Sequence, residues 1–281
     1  MAREASLPPS RLAARLPVRS LPLHLWSGIT LAAISVVGLV AFFYPLLLST
    51  ASRGQSINNT RADDTPLFFG LVLALTLLLF VLEIGSQGMN AKTASALATL
   101  MMLAAVLRIP TLPAGATAFF FAVILGGYVF GPRFGFLLGA GALFVATFTI
   151  GFGPWTPFQM FCSGWVGMTA GWLGSFRPWL SQQRLLELAC LCAFGVAWGF
   201  LFGFVMNLWF WPFMASGESI SWQPGLSLGE TLKHYWSFYL LTSAGWDVWR
   251  ALANVVLIVA VGRPVLDVLS RFRDRFQIEL S

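Results

Sequence analysis

The stretch His234-Tyr-Trp-Ser-Phe-Tyr-Leu-Leu-Thr-Ser-Ala-Gly-Trp-Asp-Val-Trp-Arg250 sets two charges, Asp247 and Arg250, inside the last long apolar run of the chain. The other apolar runs are almost free of charge. Ionisable groups at membrane depth are costly, and where they persist they serve a ligand, a pathway or a structural pair. Asp247 and Arg250 are three residues apart and Asn254 follows four later, so on a helix all three share a face. Two uses fit that face: an ion pair that locks the helix to its neighbours, or polar groups that reach a ligand from below.

The rest of the chain has the same character. Apolar types make up 57% of 281 residues and charged types 10%, with a mean hydropathy of +0.77. A soluble domain carries roughly 25% charged residues, so the fold class read here is all-α, a polytopic membrane helix bundle. A spanning helix takes about 20 mainly apolar residues. That criterion places eight spans, at about 25–48, 66–86, 92–108, 115–131, 134–151, 158–176, 185–211 and 235–262. Pro212 should stop the seventh, and Gly262-Arg-Pro264 should end the eighth.

Charge placement orients the bundle. With the N-terminus inside, twelve Lys and Arg residues fall on inner segments, against Arg53, Arg61, Arg108 and Lys233 on outer ones. This is the bias expected when both termini are cytoplasmic. The net charge of +6 then reflects topology and contact with the lipid bilayer; no basic stripe with interleaved aromatics speaks for nucleic acid. The first apolar run is long and lacks a clear small-residue cleavage site, so it reads as a retained helix.

Polar groups and aromatics gather at the outer ends of the later spans. In Gly151-Phe-Gly-Pro-Trp-Thr-Pro-Phe-Gln-Met-Phe161, two prolines and two glycines hold an irregular backbone beside Trp155, Phe158 and Gln159. The segment is either an interfacial turn with aromatic anchors or a lid over an outward pocket. Asn207-Leu-Trp-Phe-Trp-Pro-Phe213 sets an amide about one helical turn below a cluster that includes Trp211. Gln159, Asn207 and Asp247 are therefore expected to converge in the outer half of the bundle. On the third span Ala94 and Ala98 lie on one face, a spacing that lets another helix approach closely, within the bundle or from a partner. Glu187 should pair with Arg184 or sit at the interface.

The sequence offers little for catalysis. Its two histidines, His24 and His234, have no zinc-ligand spacing around them, and no phosphate-cradling glycine loop is present. No catalytic residue, metal or cofactor is indicated. With no soluble domain to hydrolyse ATP, uphill transport would draw on a partner or a gradient.

The run from about 91 to 268 resembles the substrate-binding S components of energy-coupling factor (ECF) transporters. The resemblance rests on Phe120-Phe-Ala-Val-Ile-Leu-Gly-Gly-Tyr-Val-Phe-Gly-Pro-Arg-Phe-Gly-Phe136, Gly153-Pro-Trp-Thr-Pro-Phe-Gln-Met160 with Gly164-Trp-Val-Gly167, and Met206-Asn-Leu-Trp-Phe-Trp-Pro-Phe213. Thr242-Ser-Ala-Gly-Trp-Asp247 and Gly262-Arg-Pro264 complete it. It is most similar to the branch thought to take up cobalamin. The resemblance implies a six-helix substrate-binding core at 91–268, preceded by a basic tail and two extra helices at 1–90 and followed by a basic cytoplasmic tail at 269–281. It implies capture of a vitamin outside the cell, and partnership with a transmembrane coupling protein and two cytoplasmic ATPase subunits. Trp155, Phe158 and Gln159 would be lid residues, while Asn207, Trp211 and Asp247, with Arg250, would line the pocket. Ala94 and Ala98 would form the docking face. Riboflavin or another ring-bearing vitamin is the alternative ligand. A membrane enzyme or assembly factor acting on lipid or isoprenoid is the alternative of another class, and a gradient-driven carrier a third.

Overall fold

The computed structural model describes residues 23–48, 61, 63–86, 88–214 and 219–278. The basic segment before Leu23 and most of the first external loop, 49–60, lie outside the described residues. Among those described the protein is helical throughout, with no strand. The helices are α1 (Leu23–Leu48), α2 (Thr65–Gly85), α3 (Ala91–Val106), α4 (Phe119–Phe130), α5 (Pro132–Ile150) and α6 (Thr156–Gly174). A single turn, α7 (Arg177–Leu180), leads to α8 (Arg184–Asn207), α9 (Leu228–Thr242), α10 (Ala244–Leu257) and α11 (Arg263–Ile278). Among the described residues six segments are long and apolar enough to cross a membrane: Leu23–Leu47, Thr65–Gly85, Pro113–Phe130, Pro132–Ile150, Arg184–Phe213 and Ala244–Arg275.

The central helix, α6, is not among them. From Thr156 to Gly171 only Gln159 and Thr169 escape full burial. Its neighbours are helices rather than lipid, so small residues matter more than hydropathy. A Cβ on Gly139 of α5 would stand 2.0 Å from the Ser163 carbonyl oxygen of α6, and one on Gly135 would stand 2.1 Å from that of Gly167. The two backbones touch. On its other side α6 carries the N-terminal pair. Trp165 donates to Ser35 Oγ at 3.2 Å, and Phe42 meets Phe158 edge-on at 5.3 Å. At the end where α5 begins, Arg133 bridges to Glu83 at 3.2 Å and donates to the His24 carbonyl at 2.9 Å.

Three expectations need correction. The eighth span is not one helix. The chain turns at Ser243, whose carbonyl accepts from Trp246 N at 3.0 Å and Asp247 N at 3.2 Å, so α9 ends and α10 begins there. A capping box between Ser227 and Glu230 starts α9, satisfying amide donors that have no partner within the helix. Asp247 consequently sits in the first turn of α10, where the helix dipole favours a carboxylate. Nor does Gly262-Arg-Pro264 end the helix. A π turn over Ile258–Gly262 widens the helix ahead of Pro264, so the proline ring and its missing N–H are accommodated and α11 continues. Finally, Glu187 pairs with Arg263 and accepts from Tyr128 at 3.0 Å rather than meeting Arg184, which ties α4, α8 and α11 together.

Candidate functional site

The polar groups cluster where α3 and α8 end and α4, α6 and α10 begin, the end that the charge bias assigns to the outside. Glycines on α8 create the main seam. Gly195, Gly199 and Gly203 are four apart and face Asn254, Ala251 and Asp247 of α10. A Cβ on Gly199 would stand 2.7 Å from Ala251 Cα, and one on Gly203 would stand 2.0 Å from the Asp247 carboxylate. With the backbones this close, side chains of α10 reach main-chain oxygens of α8. Asn254 donates to the Gly195 carbonyl at 2.9 Å and Arg250 to that of Gly199 at 2.9 Å. Asp247, 1% exposed, pairs with Arg250 and accepts from Tyr239 at 2.9 Å. Asn207 donates to Ser243 Oγ at 2.7 Å, fixing the α9–α10 corner against the end of α8.

A second cation stands nearby. Arg108, just beyond α3, donates to Gln159 Oε1 at 3.0 Å and lies 5.2 Å over the Phe119 ring. Arg250 lies 5.8 Å from Phe120 and 5.1 Å from Phe202. Phe119 meets Phe120 at 5.2 Å and Phe120 meets Phe202 at 4.7 Å, so a chain of rings joins the two guanidinium groups. Burial, and then the neighbouring Arg250, lower the Arg108 pKa to about 10; the group stays cationic at neutral pH. Its Nε is buried without a partner, as is Ser163 Oγ, one turn along α6 from Gln159.

The expected site residues divide into separate contacts. Gln159 binds Arg108, Asn207 binds Ser243, and Asp247 with Arg250 forms the α8–α10 seam. Phe158 faces the N-terminal pair instead: it is fully buried, 6.0 Å from Phe68 and 4.3 Å beneath the Arg61 guanidinium. Arg61 in turn pairs with Asp64 at 3.0 Å. Trp211 is also buried; it donates to the Ile220 carbonyl at 2.9 Å and packs on Tyr235 at 4.7 Å, anchoring α9. Trp155 is half-buried and packs across Gly153, with ring atoms 2.3 Å from where a Cβ would be.

Two cavities open among the described residues. One of about 330 Å³ opens at the outer end between Ala114 and the α9–α10 corner, lined by Leu241, Thr242, Gly245, Trp246 and Trp249. Ala114 has φ +54°, a strained setting for a residue with a Cβ, and such strain concentrates in functional loops. The other, about 800 Å³, is an apolar groove between α3 and α11 lined by Ala91, Ser95, Ala96, Thr99, Pro264 and Leu269 among others. Ala98 is exposed, while Ala94 is half-buried and packs on the core. Sequence reasoning passed over Arg108, treated only as an outer charge, and the Gly195–Gly199–Gly203 ladder, whose four-residue spacing was a usable signal.

A family model described as "ECF transporter, substrate-specific component" matches residues 92–262. No curated protein and no solved structure matches the chain.

Proposed function

The chain belongs to the substrate-specific components of ECF transporters, a multi-pass protein of the cell membrane that binds substrate and is not an enzyme, and from that premise we propose that it captures a corrinoid, cobalamin or a close relative, at its outer face. The observation that carries this reading is the aromatic cavity beside Trp246 and Trp249, at the α9–α10 corner that the Asn207–Ser243 hydrogen bond and the Asp247–Arg250 pair hold in place. Ligand sites are mostly apolar and concave, with a few placed polar groups to fix orientation. A corrin ring is wider than this cavity, so capture parts the Leu107–Ala118 loop from the α9–α10 corner. The cavity's volume favours a second reading, a smaller ring-bearing vitamin such as riboflavin. Energy for transport comes from a transmembrane coupling protein and two cytoplasmic ATPase subunits. The exposed Ala98 and the neighbouring α3–α11 groove supply the docking face for the coupling protein, and both termini lie in the cytoplasm.

Mass spectrometry of protein purified from cells grown in rich medium tests the ligand. A corrinoid near one per chain is expected; lipid or isoprenoid alone in its place overturns the proposal. Ala98→Trp is expected to abolish co-purification of the coupling protein and ATPases while the captured molecule is retained. Intact co-purification of that variant would remove Ala98 from the docking face.

A further inference from the structure

We propose that the captured molecule carries an anionic oxygen group, a carboxylate or a phosphate ester, and that Arg108 holds it with help from Gln159 and Ser163. This inference rests on the capture reading above and adds the ligand's charge to it.

The reasoning starts from charge balance. Arg108 and Arg250 lie at the two ends of the Phe119–Phe120–Phe202 ring chain. The carboxylate beside them, Asp247, is already taken by Arg250 and Tyr239. Arg108 has no carboxylate partner among the described residues, only the amide oxygen of Gln159 and the face of the Phe119 ring, so its positive charge is left without an opposite one. Removing a charge from water is expensive unless an opposite charge and hydrogen bonds replace the lost solvation. Arg61, Arg133 and Arg263 meet that requirement with carboxylates, Asp64, Glu83 and Glu187. Arg108 does not, and in this it resembles Arg177 at the other end of the bundle, which holds Ser270 Oγ and also keeps a buried, unpartnered Nε.

Geometry supplies the second argument. The Nε of Arg108 is buried and unpartnered, while the Nη2 beside it holds Gln159 Oε1. These two nitrogens form the edge of the guanidinium that takes a carboxylate or phosphate in paired hydrogen bonds. Gln159 acts as a stand-in: when an anion arrives, its oxygen gives way and its amide N–H₂ becomes a further donor. Ser163, on the same face of α6 one turn deeper, has a buried hydroxyl with no partner. Arg108 is only half-buried, and it opens the loop whose Ala114 borders the outer cavity.

Titration calorimetry on the full chain in lipid nanodiscs tests the proposal with matched probes. Cyanocobalamin, which has a phosphodiester, is paired with dicyanocobinamide, which lacks it; riboflavin 5′-phosphate is paired with riboflavin. In the pair that binds, the member with the phosphate group is expected to bind at least tenfold more tightly. Arg108→Gln should bring it down to the affinity of its uncharged partner, and Arg108→Lys should keep part of the preference. Equal wild-type affinity within the corrinoid pair overturns the anion seat and leaves corrinoid capture standing. So does an Arg108→Gln variant that weakens both members alike. A charge preference found only in the flavin pair supports the anion seat and overturns the corrinoid reading. Failure of all four probes to bind the wild type overturns both.

Discussion

Alanine at Gly139 is expected to lower the stability of the bundle by about 3 kcal/mol, the upper range for forcing extra volume into a packed core. The added methyl would meet main chain at several points: the Ser163 oxygen at 2.0 Å, its carbonyl carbon at 2.5 Å and Gly164 N at 3.0 Å. No side-chain rotation relieves that contact, so α5 and α6 must separate. Gly141, two residues on, is the control. A methyl there meets the Met101 side chain, its terminal carbon at 2.5 Å, and methionine bends out of the way at little cost. Gly141→Ala should therefore change stability by under about 1 kcal/mol. Denaturant or thermal unfolding in micelles, followed by helical signal, compares the two. Equal effects at Gly139 and Gly141 would contradict the backbone contact.

Asp247→Asn is expected to cost about 3 kcal/mol, the low end for removing one partner of a buried ion pair. Asparagine keeps the shape that fits against Gly203 and still accepts from Tyr239, so the loss isolates the charge on Arg250. The Arg250 side chain is 21% exposed, which places the effect at the low end. Replacing both residues with leucine should recover most of the loss, since apolar pairs commonly substitute for buried ion pairs without penalty. The same unfolding measurement, run as a double-mutant cycle, gives the coupling. An Asn variant within about 1 kcal/mol of the wild type would show that Arg250 is solvated and the pair is not structural.

Much of the architecture is legible in the sequence because lipid-facing helices announce themselves. The runs behind α1, α2, α5 and α8 are largely apolar, with Glu83, Arg133 and Glu187 confined to within a turn of a helix end, and their ends fall within a few residues of the expected ones. Elements that hydropathy does not govern are harder to read. The turn at Ser243 lies within an apolar stretch, where the short cluster Thr242-Ser-Ala-Gly245, a turn signal, is masked by the apolar residues on both sides. Proline at position 264 reads as a stop, whereas a widened turn absorbs it. At the site, the Asp247–Arg250 pairing follows from a three-residue spacing and is present. The convergence of Gln159, Asn207 and Asp247 does not follow, because depth along a helix says nothing about azimuth. Each of the three finds a different partner: Arg108, Ser243 and Arg250. Phe158 is one residue from Gln159, and that step of about 100° turns it toward α1 and α2.

The widened turn at Ile258–Gly262 also sets the rotational phase of α11. A π turn behaves as a one-residue insertion, so every side chain of α11 is rotated by about 100° from where an unbroken helix would carry it. In that setting Leu266 and Leu269 point inward, while Asp267, Arg271 and Asp274 stay at the surface. Shortening the segment by a single residue would swing the leucines out and bring charge against α4. The insertion thus works as an indexing step that lets one continuous helix satisfy two differently oriented neighbours.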